Sequence, residues 1–432
     1  MAMCVSKTSN TWRVSATLTS MVMVVLLFIS ANVNACSSGG LNINSDTRVQ
    51  PADKTAQTIV PVTYIRLEEP VSAGTPDYLK PPSDNGYAGA IVAVKDANIT
   101  GKFLGYQFEV SEIKANTLRE LGNVLEDQHK RHSANQANNT APVILLDVKS
   151  SQLLAVVDLI QNSLPAAIFF NVANSDDELR LTTCQLPLIH TAVSYQMKAD
   201  ALAQWFRSKR MQHVLAIYGK TPDDQAYLTA FTRSARKFKL TIVESKLWQD
   251  SFDLRRAAFS EIPQFTRTSK RYEAVFTADS AAQFAYSLPF NTYLQVPVVG
   301  AAGLKALGWH FTHEQWGARQ LQNRFYHSVN RHMNEVDYAS YVAVTSVASA
   351  AQHGSQLNHD ALWDTLLSDN FSLAAYKGRS LSIRRSTHQL RQPVTLAHED
   401  ALVTHAPLPG FLHQSNELDT LGTINATCKE VL

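Results

Sequence analysis

The stretch from Leu164 to Arg207 alternates short apolar runs with an amphipathic segment, and this pattern restricts the fold more than any other feature. Apolar runs at 166–171 and 186–193 predict two strands, and a polar bend at 171–177 follows the first of them. A helix is expected next, because apolar residues recur every three or four positions: Tyr195, Ala199, Leu202 and Phe206. Strands and helices that alternate in this way form parallel βαβ units, whose ligand sites lie at the carboxyl ends of strands. The bend at 171–177 is therefore a candidate site, although its Asn and Ser residues also suit an ordinary turn.

The same alternation repeats along the chain in two series of similar size. Strands are expected at 58–65, 106–110 and 143–147 in the first series, and at 213–219, 241–247, 272–278 and 296–300 in the second. The pattern predicts an α/β protein with two Rossmann-like lobes, each built on a parallel sheet. A chain of 432 residues is long enough for two or three domains.

The first 35 residues have the features of an export signal. Lys7 and Arg13 precede the apolar run 21–29, which is too short to span a bilayer as an anchor, and Val33-Asn34-Ala35 suits a cleavage site. Removing these residues takes away the formal net charge of +2, so nothing in the remaining composition favours a nucleic-acid partner. Residues 36–57 are polar and without periodicity, and we expect a flexible tether.

Cleavage after Ala35 would leave Cys36 at the new N-terminus, followed by Ser37-Ser38-Gly39-Gly40. This arrangement resembles a bacterial lipoprotein box, whose cysteine is acylated and tethers the protein to a membrane. Ordinary secretion is the alternative, since Asn34 stands where such a box has a small residue. If Cys36 is acylated, only Cys184 and Cys428 remain in the exported chain to form a disulfide.

Motifs of common enzyme classes are incomplete in this sequence. Gly219-Lys220-Thr221 follows a strand, but the position where a phosphate-binding loop needs its first glycine is Val214. The dinucleotide-binding glycine fingerprint and the Gly-x-Ser-x-Gly elbow do not occur, and the histidine pairs at 129/132 and 310/313 do not fit zinc spacing. We therefore expect no catalysis, no cofactor and no metal site.

The order of elements resembles that of the type I periplasmic substrate-binding proteins, the class of the branched-chain amino-acid receptors. The similarity extends from about residue 58 to 398 and includes the stretches 170–179, 190–194, 376–382 and 390–394. Two further stretches, 313–325 and 410–422, resemble the ABC-transporter substrate-binding proteins associated with dehydrogenase systems that depend on pyrroloquinoline quinone (PQQ). The resemblance implies a periplasmic protein that binds a small ligand between two lobes and acts with an ABC permease, beside quinoprotein alcohol oxidation. A periplasmic sensor or scaffold with the same fold is the alternative.

The resemblance also implies ligand-binding positions. In amino-acid receptors the ligand carboxylate is held after two successive strands of the first lobe, and aromatic and acidic residues of the second lobe complete the cleft. The matching positions here are Ser150, Ser151, Asn174 and Ser175, with Tyr195, Tyr218 and Asp279 from the second lobe. Thr221-Pro222-Asp223-Asp224 replaces the receptors' Tyr-Gly turn, and the stretch 300–303 lacks the acid that grips an amino group. An ordinary amino acid is therefore not the expected ligand.

The expected domains follow from this resemblance. The first lobe comprises 58–193 and 306–378, the second comprises 194–305 and 379–405, and 406–432 is a C-terminal tail. A three-strand hinge is expected near 193–195, 303–308 and 378–381.

Overall fold

The computed structural model describes residues 57–68, 80–132, 140–249, 261–354 and 356–425. Within this part of the chain, no helix is both long enough and apolar enough to cross a membrane. The predicted export signal, Cys36 and Cys428 lie outside the described residues.

The first lobe is built on a parallel five-stranded sheet in the order β2-β1-β3-β4-β5. Its strands are β1 (Thr58–Leu67), β2 (Tyr106–Ala115), β3 (Val143–Asp147), β4 (Ile168–Asn171) and β5 (Leu188–His190). Its helices in the first half of the chain are α1 (Tyr87–Leu104), α2 (Leu118–His132), α3 (Ser150–Ser163) and α4 (Asp177–Thr182). The sheet is buried on both faces, because successive side chains of β1 enter different cores: Val62 and Tyr64 one core, Ile65 the opposite one.

The second lobe has a parallel four-stranded sheet in the order β7-β6-β8-β9 and a small antiparallel sheet β10-β14-β15. The strands of the parallel sheet are β6 (His213–Tyr218), β7 (Thr241–Leu247), β8 (Ala274–Ala278) and β9 (Val298–Gly300). The antiparallel strands are β10 (Lys305–Leu307), β14 (Val394–His398) and β15 (Ala401–Ala406), and the helices are α5 (Tyr195–Ser208), α6 (Pro222–Lys237) and α7 (Ile262–Phe265). The core of this lobe includes Phe206 from α5, Phe231 from α6 and Phe276 from β8.

After β10 the chain returns to the first lobe. The remaining helices are α8 (Ala318–Val329), α9 (Glu335–His353) and α10 (His359–Leu366), and the remaining strands are β11 (Leu373–Ala374), β12 (Ser380–Ile383) and β13 (Leu390–Arg391). Helix α9 is buried along most of its length. It packs against α1 at Gly89, where a Cβ atom would overlap the backbone of Asp337.

The boundary expected at 378/379 is wrong. Leu381 and Leu390 belong to the core of the first lobe, whereas Val394 and Leu396 belong to the core of the second. The third crossing between lobes therefore lies between Leu390 and Val394 and not at 378–381. The other two crossings lie between β5 and α5 and just after β10.

The described part of the C-terminal tail packs against the rest of the molecule. Leu421 is buried in the core of the second lobe, and Asp419 accepts hydrogen bonds from Arg384 and Arg391, which adjoin β12 and β13. The pKa of Asp419 is lowered, because the hydrogen bonds and charges of these two arginines outweigh the effect of burial. This segment therefore ties strands of the first lobe to the second lobe.

Candidate functional site

A cleft of about 660 Å³ lies between the two lobes. First-lobe residues that line it include Arg66, Leu67, Glu68, Asp147, Val148, Lys149, Ala173, Asn174 and Ser175, and second-lobe residues are Tyr195, Asp223 and Ser280. The first-lobe residues end or follow β1, β3 and β4; in the second lobe Asp223 follows β6, Ser280 follows β8, and Tyr195 begins α5. The cleft is thus located at the carboxyl ends of both parallel sheets, where open α/β folds bind their ligands.

The polar bend after β4 forms the part of the first-lobe wall closest to the second lobe. The Asn171 side chain closes the bend by accepting from the Asn174 backbone N–H (2.9 Å) and donating to the Asn174 carbonyl (2.9 Å). The Asn174 amide accepts from the Asp176 backbone N–H (2.8 Å) and donates to the Val148 carbonyl (3.3 Å). Asn174 and Ser175 thus both line the cleft, but the amide of Asn174 is already used to hold the wall in place.

Ser150 lies beside the same wall, and its hydroxyl donates a hydrogen bond to the carboxylate of Asp176. The other oxygen of Asp176 accepts from the Glu178 backbone N–H (3.0 Å) and caps α4. Ser151 is exposed on α3 and is not part of the cleft lining. The structure therefore brings a serine and an aspartate together where the resemblance implied hydroxyl donors for a ligand carboxylate.

Tyr195 joins the two walls of the cleft. It is the first residue of α5, and its backbone N–H donates to the Ser175 carbonyl (2.8 Å). Its ring stacks on Tyr227 with centroids 5.0 Å apart. The pKa of the Tyr195 hydroxyl is raised, first by burial and then by the nearby negative charge of Asp223, so the hydroxyl stays protonated.

Asp223 lines the cleft but was not among the candidate residues in the sequence. The neighbouring Asp224 is buried and completes a capping box: it accepts from Thr221 N–H (3.1 Å) and from Ser280 N–H (2.6 Å). Asp223 is left half-buried at the cleft, close enough to the Tyr195 side chain for that side chain to lower its pKa. Its pKa is raised, chiefly by burial and then by the negative charge of Asp176, although the positive charge of Lys149 lowers it.

Two expected second-lobe contacts lie outside the cleft lining. Asp279 is buried, and its carboxylate accepts from the backbone N–H groups of Gln283 (2.9 Å), Phe284 (2.7 Å) and Ala285 (2.8 Å). Tyr218 is half-buried against the core of the second lobe. Asp279 therefore shapes the loop after β8, and neither residue faces the cavity described here.

A second group that sequence reasoning did not identify fixes the opposite end of the cleft. Arg66 donates to the Asp147 carboxylate (2.9 Å) and to the carbonyls of Ser83 (3.0 Å) and Asn85. The Tyr64 hydroxyl donates to the same carboxylate (2.8 Å). These bonds hold the loop that precedes α1 against the sheet and use both Arg66 and Asp147 in doing so.

Among the residues that the structure describes, no group of three or more His, Cys, Asp and Glu side chains could hold a metal ion. Cys184 forms a disulfide. Its pairing with Cys428 stays a prediction, because Cys428 lies outside the described residues.

Two facing lobes with parallel sheets and a cleft at the strand ends define the fold of the type I periplasmic binding proteins. The binding protein for leucine, isoleucine, valine, threonine and alanine from Brucella ovis, in a closed conformation, matches with a TM-score of 0.63 at 11% identity, over 86% of this chain and 98% of its own. A branched-chain amino acid transporter substrate-binding protein from Streptococcus pneumoniae, in complex with isoleucine, matches with a TM-score of 0.59 at 15% identity, over 81% and 99%.

A solute-binding protein of an ABC transporter from R. palustris, in complex with benzoate, matches with a TM-score of 0.58 at 11% identity, over 86% of this chain and 99% of its own. No family model matches the chain, and no curated protein does so. At these identities the similarity establishes the fold.

Proposed function

We propose that this protein is a non-enzymatic ligand-binding protein of the periplasm, which closes its two lobes on a small molecule. The observation that carries the proposal is the cleft of about 660 Å³, whose walls come from both lobes. A ligand that contacts both walls gains its full set of contacts only when the lobes are closed, so binding favours the closed state.

The contacts between the lobes fit such a motion. At the base of the cleft, the Tyr195 N–H reaches Ser175 across the lobes, and Lys198 of α5 pairs with Glu335 of α9 at 3.0 Å. Both contacts are polar, and polar inter-domain contacts are compatible with relative domain motion. The three crossing segments provide the hinge.

We further propose that the closed form delivers its ligand to an ABC permease in the inner membrane. In support, the solved structures with this fold described above include a solute-binding protein of an ABC transporter and a transporter substrate-binding protein. Their bound molecules, isoleucine in one and benzoate in the other, differ in chemistry, so the fold alone leaves the ligand of this chain undetermined.

The ligand contacts that we propose are Asn174, Ser175 and Tyr195, to which the structure adds Asp223. Ser150 contributes through Asp176. For Ser151, Tyr218 and Asp279 a ligand contact would need an arrangement of the lobes other than the one described here.

A link to PQQ-dependent alcohol oxidation is also part of this proposal, and its support is the resemblance of 313–325 and 410–422. Both stretches adjoin one groove of about 590 Å³ that includes Trp316, Arg379 and His405. Arg379 forms an ion pair with Glu417 of the second stretch, and His313 of the first stretch hydrogen-bonds with His405 (3.2 Å). We propose that this groove is the surface that distinguishes the subfamily. We also propose that an acylated Cys36 attaches the protein to the membrane.

Two measurements on the purified exported chain, with and without a panel of small molecules, test the central proposal: thermal unfolding gives the melting temperature, and small-angle scattering gives the radius of gyration. We expect at least one compound to raise the melting temperature and to reduce the radius of gyration together, and Tyr195→Ala to abolish both effects. Turnover of the compound that binds, or binding that leaves the radius of gyration and the Tyr195→Ala variant unaffected, would contradict it.

A further inference from the structure

We propose that the cleft selects a small organic amine, a ligand with an ammonium group and no carboxylate. This inference rests on the proposed binding function and names the class of ligand for the same cleft.

A carboxylate lies just behind the first-lobe wall and binds the donor that this wall could offer. The Ser150 hydroxyl, which could donate to a ligand carboxylate, donates to Asp176. Asp176 is fixed there, because it also caps α4 through the Glu178 N–H (3.0 Å). A carboxylate on the ligand would therefore meet an occupied donor and a like charge, and unpaired burial of a charge is unfavourable.

The second-lobe wall presents a carboxylate that the fold does not use. Asp224 belongs to the capping box of α6, whereas Asp223 lines the cleft beside Tyr195. A carboxylate has about four lone-pair sites, so Asp223 retains the capacity to accept from an ammonium group. The amino-acid receptors have an acid near the position of residue 300, which this chain lacks. Asp223, which follows a different strand, takes the place of that acid.

The cations near the cleft do not cancel this negative charge. Three of the described residues that line the cavity are acidic (Glu68, Asp147 and Asp223) and two are basic (Arg66 and Lys149), while Asp176 behind the wall has Arg180 beside it. Arg66 is engaged by Asp147 and two backbone carbonyls, and the positive charge of Lys149 lowers the pKa of Asp223 less than burial and Asp176 raise it. The balance around the cavity favours a cation over an anion.

The same preference affects the stability of the closed state. Asp176 belongs to the first lobe and Asp223 to the second, and they are close enough for Asp176 to affect the titration of Asp223. The charge of Asp176, behind the first-lobe wall, therefore opposes the charge of Asp223, and an ammonium group bound at Asp223 offsets that repulsion. An amine therefore stabilises the closed state, whereas a carboxylate adds to the repulsion.

Matched probes separate the amine from the acid on one carbon skeleton. Isothermal titration of the purified exported chain would compare 3-methylbutylamine, leucine and 4-methylpentanoate, and likewise benzylamine and benzoate. We expect the amines to bind at least about tenfold more tightly than the compounds with a carboxylate. The reason is that the ammonium group of an amine forms a charged hydrogen bond with Asp223 and brings no carboxylate into the cleft.

Two variants test the named carboxylates. Asp223→Asn should weaken amine binding about tenfold or more. Asp176→Asn should weaken it too while keeping the helix cap, because Asn and Asp cap helices equally well. Asp158→Asn, an exposed position on α3, is the matched control and should leave the affinity unchanged.

The inference is overturned if leucine or either carboxylate probe binds as tightly as its amine, if Asp223→Asn leaves amine affinity unchanged, or if no amine binds. Carboxylate binding that is lost in Tyr195→Ala would overturn the amine inference and keep the proposed binding function. Binding of no probe, with no change in the radius of gyration, would count against both.

Discussion

At the scale of single residues, two adjacent aspartates after β6 have different roles. Thr221 caps α6, Pro222 occupies its first turn and Asp224 closes the capping box, which is a pattern that sequence rules recognise. Those rules assign Asp224 to the fold and leave Asp223 free for the cleft. The same rules do not reveal that Asp279 serves the loop after β8, because its three backbone partners are set by a turn without a sequence signature.

Replacing Asp223 with Asn should raise the melting temperature of the ligand-free protein at pH 7 by about 1 °C or more. The pKa of Asp223 is raised in the folded state, first by burial and then by Asp176, so its ionised form opposes folding above that pKa. This disadvantage is lost as the pH falls below the ordinary pKa of an aspartate, since both states are then protonated. Scanning calorimetry from about pH 7 to pH 3.5 measures the difference, and a gap that widens in acid would contradict the assignment.

At the scale of elements, the third crossing between lobes is held by a buried lysine. Lys377 donates to the Gln392 side chain (2.6 Å) and to the Pro393 carbonyl (3.0 Å), and its ammonium lies 4.5 Å from the centroid of the Tyr338 ring. Gln392 in turn donates to the Thr191 carbonyl (2.7 Å) at the first crossing. Two of the three crossings are therefore connected through one side chain.

Lys377→Met should lower the free energy of unfolding by about 1–3 kcal/mol, because the buried oxygens of Gln392 and Pro393 would lose their donor. Burial lowers the pKa of Lys377, so the gain from its hydrogen bonds is partly offset by desolvation. Urea denaturation measures the change. Lys102→Met, at an exposed position on α1, is the control, and equal effects of the two substitutions would show that the buried hydrogen bonds contribute nothing.

Gly378 illustrates a packing constraint between β11 and β12. Its φ is +70°, and a Cβ placed there would lie 2.4 Å from the indole of Trp316. Gly378→Ala should therefore destabilise the protein by about 1–3 kcal/mol through strain and overlap. In a Trp316→Ala background the overlap is removed and the loss should shrink, which urea denaturation of the four proteins can measure. An equal loss in both backgrounds would leave backbone strain as the whole effect.

The sequence predicted elements well where local pattern decides them. Strand β3 was expected at 143–147 and is observed there, and β6 was expected at 213–219 and is observed at His213–Tyr218. The fold class was confirmed as well. The position of β12 and β13 in the first lobe was not predictable, because the choice between two cores depends on contacts such as that of Leu381 with residues far away in sequence. Asp223 was missed for a similar reason: its role depends on Asp176 and Tyr195.

At the scale of the whole molecule, the two lobes meet at the base of the cleft through a half-buried ion pair. Lys198 of α5 and Glu335 of α9 are 3.0 Å apart, and the second oxygen of Glu335 accepts from the Gly308 N–H (3.1 Å) just after β10. Glu335 also adds to the raised pKa of Tyr227, for which burial is the main cause. One carboxylate therefore contacts α5 and the second crossing, and its charge also acts on Tyr227 of the second lobe.

A double-mutant cycle on this pair should show whether it sets the balance between open and closed lobes. Lys198→Met and Glu335→Gln each remove the ion pair, and Gln keeps an oxygen that accepts from Gly308. Because the pair is partly exposed, we expect a coupling of about 0.5–1 kcal/mol in the binding free energy of whichever ligand the screen identifies. The coupling should fall at high salt, since exposed charges are screened. The radius of gyration of the ligand-free protein should rise in both single variants, because the lobes lose a contact that holds them together. Additive effects of the two substitutions on binding, with unchanged scattering, would show instead that the pair stabilises one lobe and not the relation between the two.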